Sequence, residues 1–128
     1  MRRKTVAPML ALLFAAAIIA PATAKAGDAG SFTGASNHIT TGGVSIVETS
    51  AGSVVLLAAD FSLDGAPDPR VGLGKDGTYD EATDLGELRS ITGLQAYAVP
   101  AGVDASAYNE VYIWCRKFSV PLGVASLK

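Results

Sequence analysis

Cys115 is the only cysteine of this 128-residue chain, and His38 is the only histidine. Few centres can be built from one of each. A blue-copper site wants two histidines, a cysteine and usually an axial methionine, and the only methionines here are Met1 and Met9. Structural zinc wants four Cys or His ligands. Covalent c-type haem needs Cys-x-x-Cys-His, which is absent. Non-covalent haem, with one thiolate or imidazole ligand, survives the count. The identity of any cofactor is otherwise unknown from the sequence.

The surroundings of Cys115 bear on what its thiol can do. It sits in Glu110-Val-Tyr-Ile-Trp-Cys-Arg-Lys-Phe-Ser-Val120, which reads as an aromatic-rich strand. On a strand Cys115 shares one face with Val111 and Ile113, while Tyr112, Trp114 and Arg116 take the other. Apolar neighbours favour a packed, inert thiol of raised pKa. Arg116 and Lys117 follow at once, and nearby cations favour the thiolate. Both readings stay open. Tyr112 and Trp114, with Phe118 beyond, form a stripe that either packs as core or lines an apolar pocket broad enough for a macrocycle. Trp114, Arg116 and Phe118 are therefore the pocket candidates, with Cys115 as redox group or ligand. Bridging to a second chain through Cys115 is disfavoured, because an interior strand position is hard to reach.

His38 lies in the loop-like Ser36-Asn-His-Ile39. It is either a turn residue with a local hydrogen bond or a second ligand, should its segment fold beside the last strands. Asp76, Asp80, Glu81, Asp84 and Glu87 crowd one stretch, but their order is not that of an EF-hand loop. Solvated turn acids are the better reading. There is no Gly-x-Ser-x-Gly elbow, and His38 is the sole candidate general base. No glycine-rich phosphate loop opens a helix. No catalytic constellation is visible, which argues against a conventional enzyme.

The N-terminus bears on the redox setting. Arg2-Arg3-Lys4 precedes the apolar stretch Val6–Ala20, and Ala24-Lys25-Ala26 places small residues where a signal peptidase reads. Fifteen residues is short for a span of about 20, so the expectation is a signal peptide over 1–26, cleaved after Ala26, and a domain over 27–128. Export to the periplasm or the extracellular space follows, with no membrane span after cleavage. An unpaired cysteine in an oxidising compartment calls for an explanation. Cleavage leaves six Lys and Arg against 12 Asp and Glu, a net charge of −6. Such a domain is a poor partner for nucleic acid.

The elements that must hold these residues have period two. Gly43–Glu48 alternates, and Val54–Ala59 is a continuous apolar run fit for a central strand. Val71–Leu73, Gln95–Val99, Val111–Cys115 and Gly123–Leu127 complete the strand set. Ser50–Ser53, Asp64–Pro69 and Lys75–Gly77 carry turn chemistry. Asp104–Asn109 reads as one helical turn capped by Asp104, and Glu81–Arg89 is ambiguous. Short strands about ten residues apart predict an all-β fold, a single small sandwich or barrel of about 7–8 strands.

The run Trp114-Cys-Arg-Lys-Phe-Ser-Val-Pro-Leu-Gly123, followed by Ala125 and Leu127, resembles the C-terminal signature of the DM-thirteen domain family. Gly30-Ser-Phe-Thr-Gly34 with His38 and Gly42 is similar to that family's first segment. Asp60-Phe61 and Pro67-Asp68 resemble its middle. Leu85-Gly-Glu-Leu88, Gly93-Leu-Gln-Ala-Tyr97 and Pro100 resemble its second half. The resemblance spans about residues 30–127, with one departure at Pro121-Leu122, where many members carry a bulkier aromatic. It implies a β-rich extracytoplasmic domain, found alone or beside DOMON domains, with a motif centred on the position of Cys115. It also implies redox or electron-transfer work, with haem as a candidate cofactor and a redox protein or cytochrome of the envelope as a candidate partner. The alternative expectation is a non-catalytic cell-envelope binding or structural module, with Cys115 packed in the core.

Overall fold

Alternation becomes strand wherever one residue in two finds an apolar partner on the inner side of a sheet. The structure, a computed structural model, describes residues 25–128. Its strands are β1 (Lys25–Gly34), β2 (Thr40–Thr41), β3 (Gly43–Thr49), β4 (Gly52–Leu57), β5 (Ser62–Leu63) and β6 (Pro69–Lys75). They continue as β7 (Thr78–Asp80), β8 (Gly86–Glu87), β9 (Gln95–Ala98), β10 (Glu110–Cys115) and β11 (Val120–Ser126). The main sheet runs β7-β6-β10-β11-β1-β3-β4-β9, with β8 beside β6. Every pairing in it is antiparallel. The all-β expectation holds, in the form of a curled half-barrel. Among the described residues the sheet ends at β7 on one side and β9 on the other.

The curl is organised by β1. Ala29–Ser31 pair with β3, whereas Phe32–Gly34 pair with β11. Ala29 and Lys128 exchange backbone hydrogen bonds of 3.3 and 3.0 Å. The segment 27–34 shows little alternation in sequence, since Phe32 is its only large apolar residue. It is a strand because two flanking strands supply its backbone partners. The expected leader lies outside the described residues, except for Lys25 and Ala26, which pair with Glu48 and Val47 ahead of a register shift. No helix among the described residues is long and apolar enough to cross a membrane.

The inner face gathers Val44, Ile46, Val55, Leu57, Val71, Leu73, Val111, Ile113, Leu122 and Ala125. Phe61 and Leu63 close it from the β5 region, and the Phe32 and Phe61 rings meet edge to face at 5.5 Å. Burying each such side chain contributes about 1.5–3 kcal/mol. Two buried hydroxyls tie loops to this core. Thr40 Oγ1 donates to the Leu122 carbonyl at 2.7 Å. Thr83 Oγ1 accepts from the Leu73 amide at 2.8 Å.

Several local expectations are refined. The turn after β6 is a two-residue hairpin, with positive φ at Asp76 and Gly77 and Lys75 paired with Thr78. That is the type I′ signature. The Val71–Leu73 strand extends to Pro69–Lys75, because β10 offers partners along its whole length. The apolar run from Val54 ends as strand at Leu57, and within it only Val55 and Leu57 are fully buried. The segment 81–89 resolves into a 3-10 turn (Glu81–Thr83), β8 and the buried Leu88. A second 3-10 turn, Ala105–Ala107, is capped by Asp104, whose carboxylate accepts from the Ser106 amide.

Candidate functional site

The alternation of β10 divides its residues between two environments. Val111, Ile113 and Cys115 join the inner core. Cys115 is 1% exposed, and its backbone lies between Pro69 of β6 and Val120 of β11. A register shift between Ile113 and Trp114 inserts Leu122 as an extra residue in β11. Cys115 is also the last residue of its strand. The Arg116–Ser119 turn follows, with Ser119 at φ 52°. Arg116 anchors this end of the strand, its amide donating to the Asp68 carbonyl and its Nε to Asp68 Oδ2 at 3.0 Å.

The outer face holds the aromatics. Tyr79 of β7 stacks on Trp114 with centroids 4.3 Å apart and planes 15° apart. Tyr112 meets Tyr79 at 5.5 Å and Trp114 at 6.4 Å. Room for the rings comes from glycines on β6. A Cβ at Gly72 would come within 2.5 Å of the Tyr79 ring, and one at Gly74 would strike Tyr112. Tyr112 is buried beneath this layer, and its hydroxyl donates to Glu110 Oε1 at 3.3 Å.

A cleft of about 200 Å³ opens beside the stack, lined by Tyr79, Glu81, Asp84, Trp114 and Arg116. Arg70 Nε pairs with Asp84 at 3.1 Å just behind it. Desolvation, with help from the Asp84 and Glu81 carboxylates, pushes the Tyr79 hydroxyl up to about 12. It is a neutral donor and acceptor across the physiological range. Two broader, shallower clefts flank Tyr79 along β7 and β10.

Of the sequence candidates, Trp114 and Arg116 meet in this cleft. Phe118 does not line it; it is 61% exposed on the turn, with the Lys117 ammonium 5.5 Å from its ring centroid. His38 Nδ1 is 2.8 Å from Asp64 Oδ1, and the other Asp64 oxygen accepts from the Ile39 amide. The His38 contact is the main cause that lowers the Asp64 pKa. The pair locks the His38 loop to the turn at Asp64. Among the described residues no three His, Cys, Asp or Glu side chains gather as a metal site. Asp76 bonds Asn109, Asp80 caps the 81–83 turn and accepts from Tyr108, and Asp84 pairs with Arg70.

The arrangement does not fit a haem. The Cys115 sulfur sits in closed core, none of these three clefts has Cys115 in its lining, and the cleft beside Trp114 lies on the opposite face. Its volume of about 200 Å³ is also small for a macrocycle, and the two larger flanking clefts have neither Cys nor His in their linings. Tyr79 was missed from sequence. Its signal is the alternation Val71-Gly-Leu-Gly74, which leaves one face of β6 bare for a neighbouring aromatic to cover.

Fold and site together define a small antiparallel β domain with one sealed thiol and an outward aromatic layer. Residues 31–127 match the model of the family described as "Electron transfer DM13". The chain belongs to that family, as the Trp-Cys-Arg-Lys signature implied. No match was found among curated proteins or among solved structures.

Proposed function

We propose that this chain is an exported, redox-linked accessory domain in which Cys115 is a gated thiol, sealed at rest and reached when the Arg116–Ser119 turn opens. The observation that carries the reading is the position of Cys115, 1% exposed yet last in its strand and directly before a turn. The description of the family supports electron transfer as the class of work. The basic and apolar leader supports export. In the opened state the sulfur is exposed next to Arg116 and Lys117, and its thiolate is the attacking species. That thiolate attacks a small disulfide, forming a mixed disulfide and releasing one thiol. A redox protein or cytochrome of the envelope is the proposed partner, its basic surface drawn to the domain's net negative charge.

The reversible thiol is favoured over a metal or haem ligand because Cys115 lines none of the three clefts described and, among the described residues, belongs to no group of metal-ligating side chains. The test is alkylation of Cys115 by iodoacetamide across a denaturant series. A gated thiol reacts through a sub-global opening, at a rate that rises well below the unfolding midpoint. Alkylation that tracks global unfolding alone would overturn the gate. It would favour the second reading, a binding or structural module with Cys115 as core residue, which the membership of Cys115 in the Val111–Ile113 core cluster supports.

A further inference from the structure

The outer cleft carries chemistry that the thiol does not need. Its aromatic wall is rigid, because Tyr79 is wedged between Gly72 below and the Trp114 ring beside it. Three of its polar groups are free. The hydroxyls of Tyr97, Tyr108 and Tyr112 each have a hydrogen-bond partner. The Tyr79 hydroxyl, the Trp114 indole N–H and the Glu81 carboxylate have none among the described residues. Both signs of charge line the cleft. Asp84 is balanced by Arg70 and Arg116 by Asp68, which leaves Glu81 unpaired.

We propose that this cleft is a carbohydrate subsite that takes one neutral pyranose ring. The C–H face of a pyranose suits an aromatic wall, and its hydroxyls both donate and accept, as the mixed rim of Glu81, Arg116, Tyr79 and Trp114 requires. Glu81 opposes an anionic ligand, and the Arg116 guanidinium, although paired with Asp68, keeps the rim from being wholly acidic. A volume of about 200 Å³ suits a single ring rather than a macrocycle. The site needs nothing from Cys115, so it stands apart from the redox reading.

Trp114 is the only tryptophan of the chain, so intrinsic fluorescence reads the Tyr79–Trp114 stack, and the Glu81 variant separates this cleft from the neighbouring one, whose lining lacks Glu81. The full chain is titrated with methyl β-glucoside, methyl β-galactoside, methyl α-mannoside and cellotriose. At least one should give a saturable emission change. Tyr79→Ala, and Glu81→Gln at an exposed position where folding is not at stake, should each weaken binding by roughly tenfold. Cys115→Ala should leave it unchanged. No saturable change with any of the four up to about 50 mM, a very weak affinity for a single ring, overturns the proposal. So does a response that both cleft variants preserve. A response confined to methyl glucuronide or to choline, run alongside, overturns the neutral assignment.

Discussion

Trp114 and Cys115 are joined by one peptide bond and face opposite sides of the sheet. The indole stacks on Tyr79 in the outer layer, and the sulfur is sealed in the inner core. One short strand therefore carries two features that mutation can separate.

Cys115→Ala removes a packed sulfur from a site with little room to collapse, and it should cost about 1–3 kcal/mol in urea unfolding. Cys115→Ser should cost at least as much, because the buried thiol has no side-chain hydrogen-bond partner among the described residues for a hydroxyl to inherit. Trp114 emission of the folded protein should be unchanged in both. A neutral Cys115→Ser would mean that the core around this residue is loose.

Thr83→Val tests a buried hydroxyl. Thr83 Oγ1 accepts from the Leu73 amide at 2.8 Å and lies 2.6 Å from the Asp80 carbonyl. Valine keeps the shape and orphans the Leu73 N–H, at a cost of about 1–3 kcal/mol. Each 1 kcal/mol should lower Tm by roughly 4–8 °C. An unchanged Tm would mean that water replaces the hydroxyl.

Gly72→Ala should disturb the outer layer while sparing the inner core. The new methyl meets the Tyr79 ring, so overpacking should cost about 1–3 kcal/mol and shift Trp114 emission as the stack loosens. Reactivity of Cys115 with iodoacetamide in the absence of denaturant should stay low. An unshifted emission spectrum would contradict the stacked arrangement.

The pH dependence has two arms. Burial first, then Asp84, raise Tyr79 to about 12 from the usual 10. A group raised in the fold contributes stability that is present below pH 10 and lost as pH climbs toward 12. Titration at 295 nm should show late-ionising tyrosine, and Tyr79→Phe should flatten the alkaline loss. At the other end, hydrogen bonds from His38, Tyr108 and Ser106 hold Asp64, Asp80 and Asp104 below the usual carboxylate range. Their contribution is present above about pH 4 and fades as pH falls through the lowered values. Asp80→Asn should reduce that acid sensitivity, as circular dichroism melts at pH 3 and pH 7 would show.

The strands that announced themselves in the sequence are those with one face on the core. Gly43–Glu48 and Val111–Cys115 alternate because their outward residues meet solvent or other side chains. The faces of β10 follow from the same alternation, which puts Cys115 with Val111 and Ile113. The strands that stayed hidden, β1, β2, β5, β7 and β8, are short or polar and owe their pairing to neighbours distant in sequence. The site was half legible for the same reason. Trp114 and Arg116 stand in the motif itself, whereas Tyr79 reaches Trp114 only because the Asp76-Gly77 hairpin folds β7 across β6. His38 looked like a possible ligand, and its imidazole contacts Asp64 of a turn 26 residues away, a pairing that local pattern does not encode.

The divided pairing of β1 has a consequence for synthesis. Its first half needs β3, which follows closely, but its second half needs β11, and Ala29 waits for Lys128. The sheet therefore cannot be completed before the residues of β11 have been made. Until the ribosome has released the residues of β11, one edge of β1 hangs open beside an unfinished core. A nascent chain in that state is a substrate for chaperones or for a translocation channel, and it becomes the finished domain only after its final strand arrives.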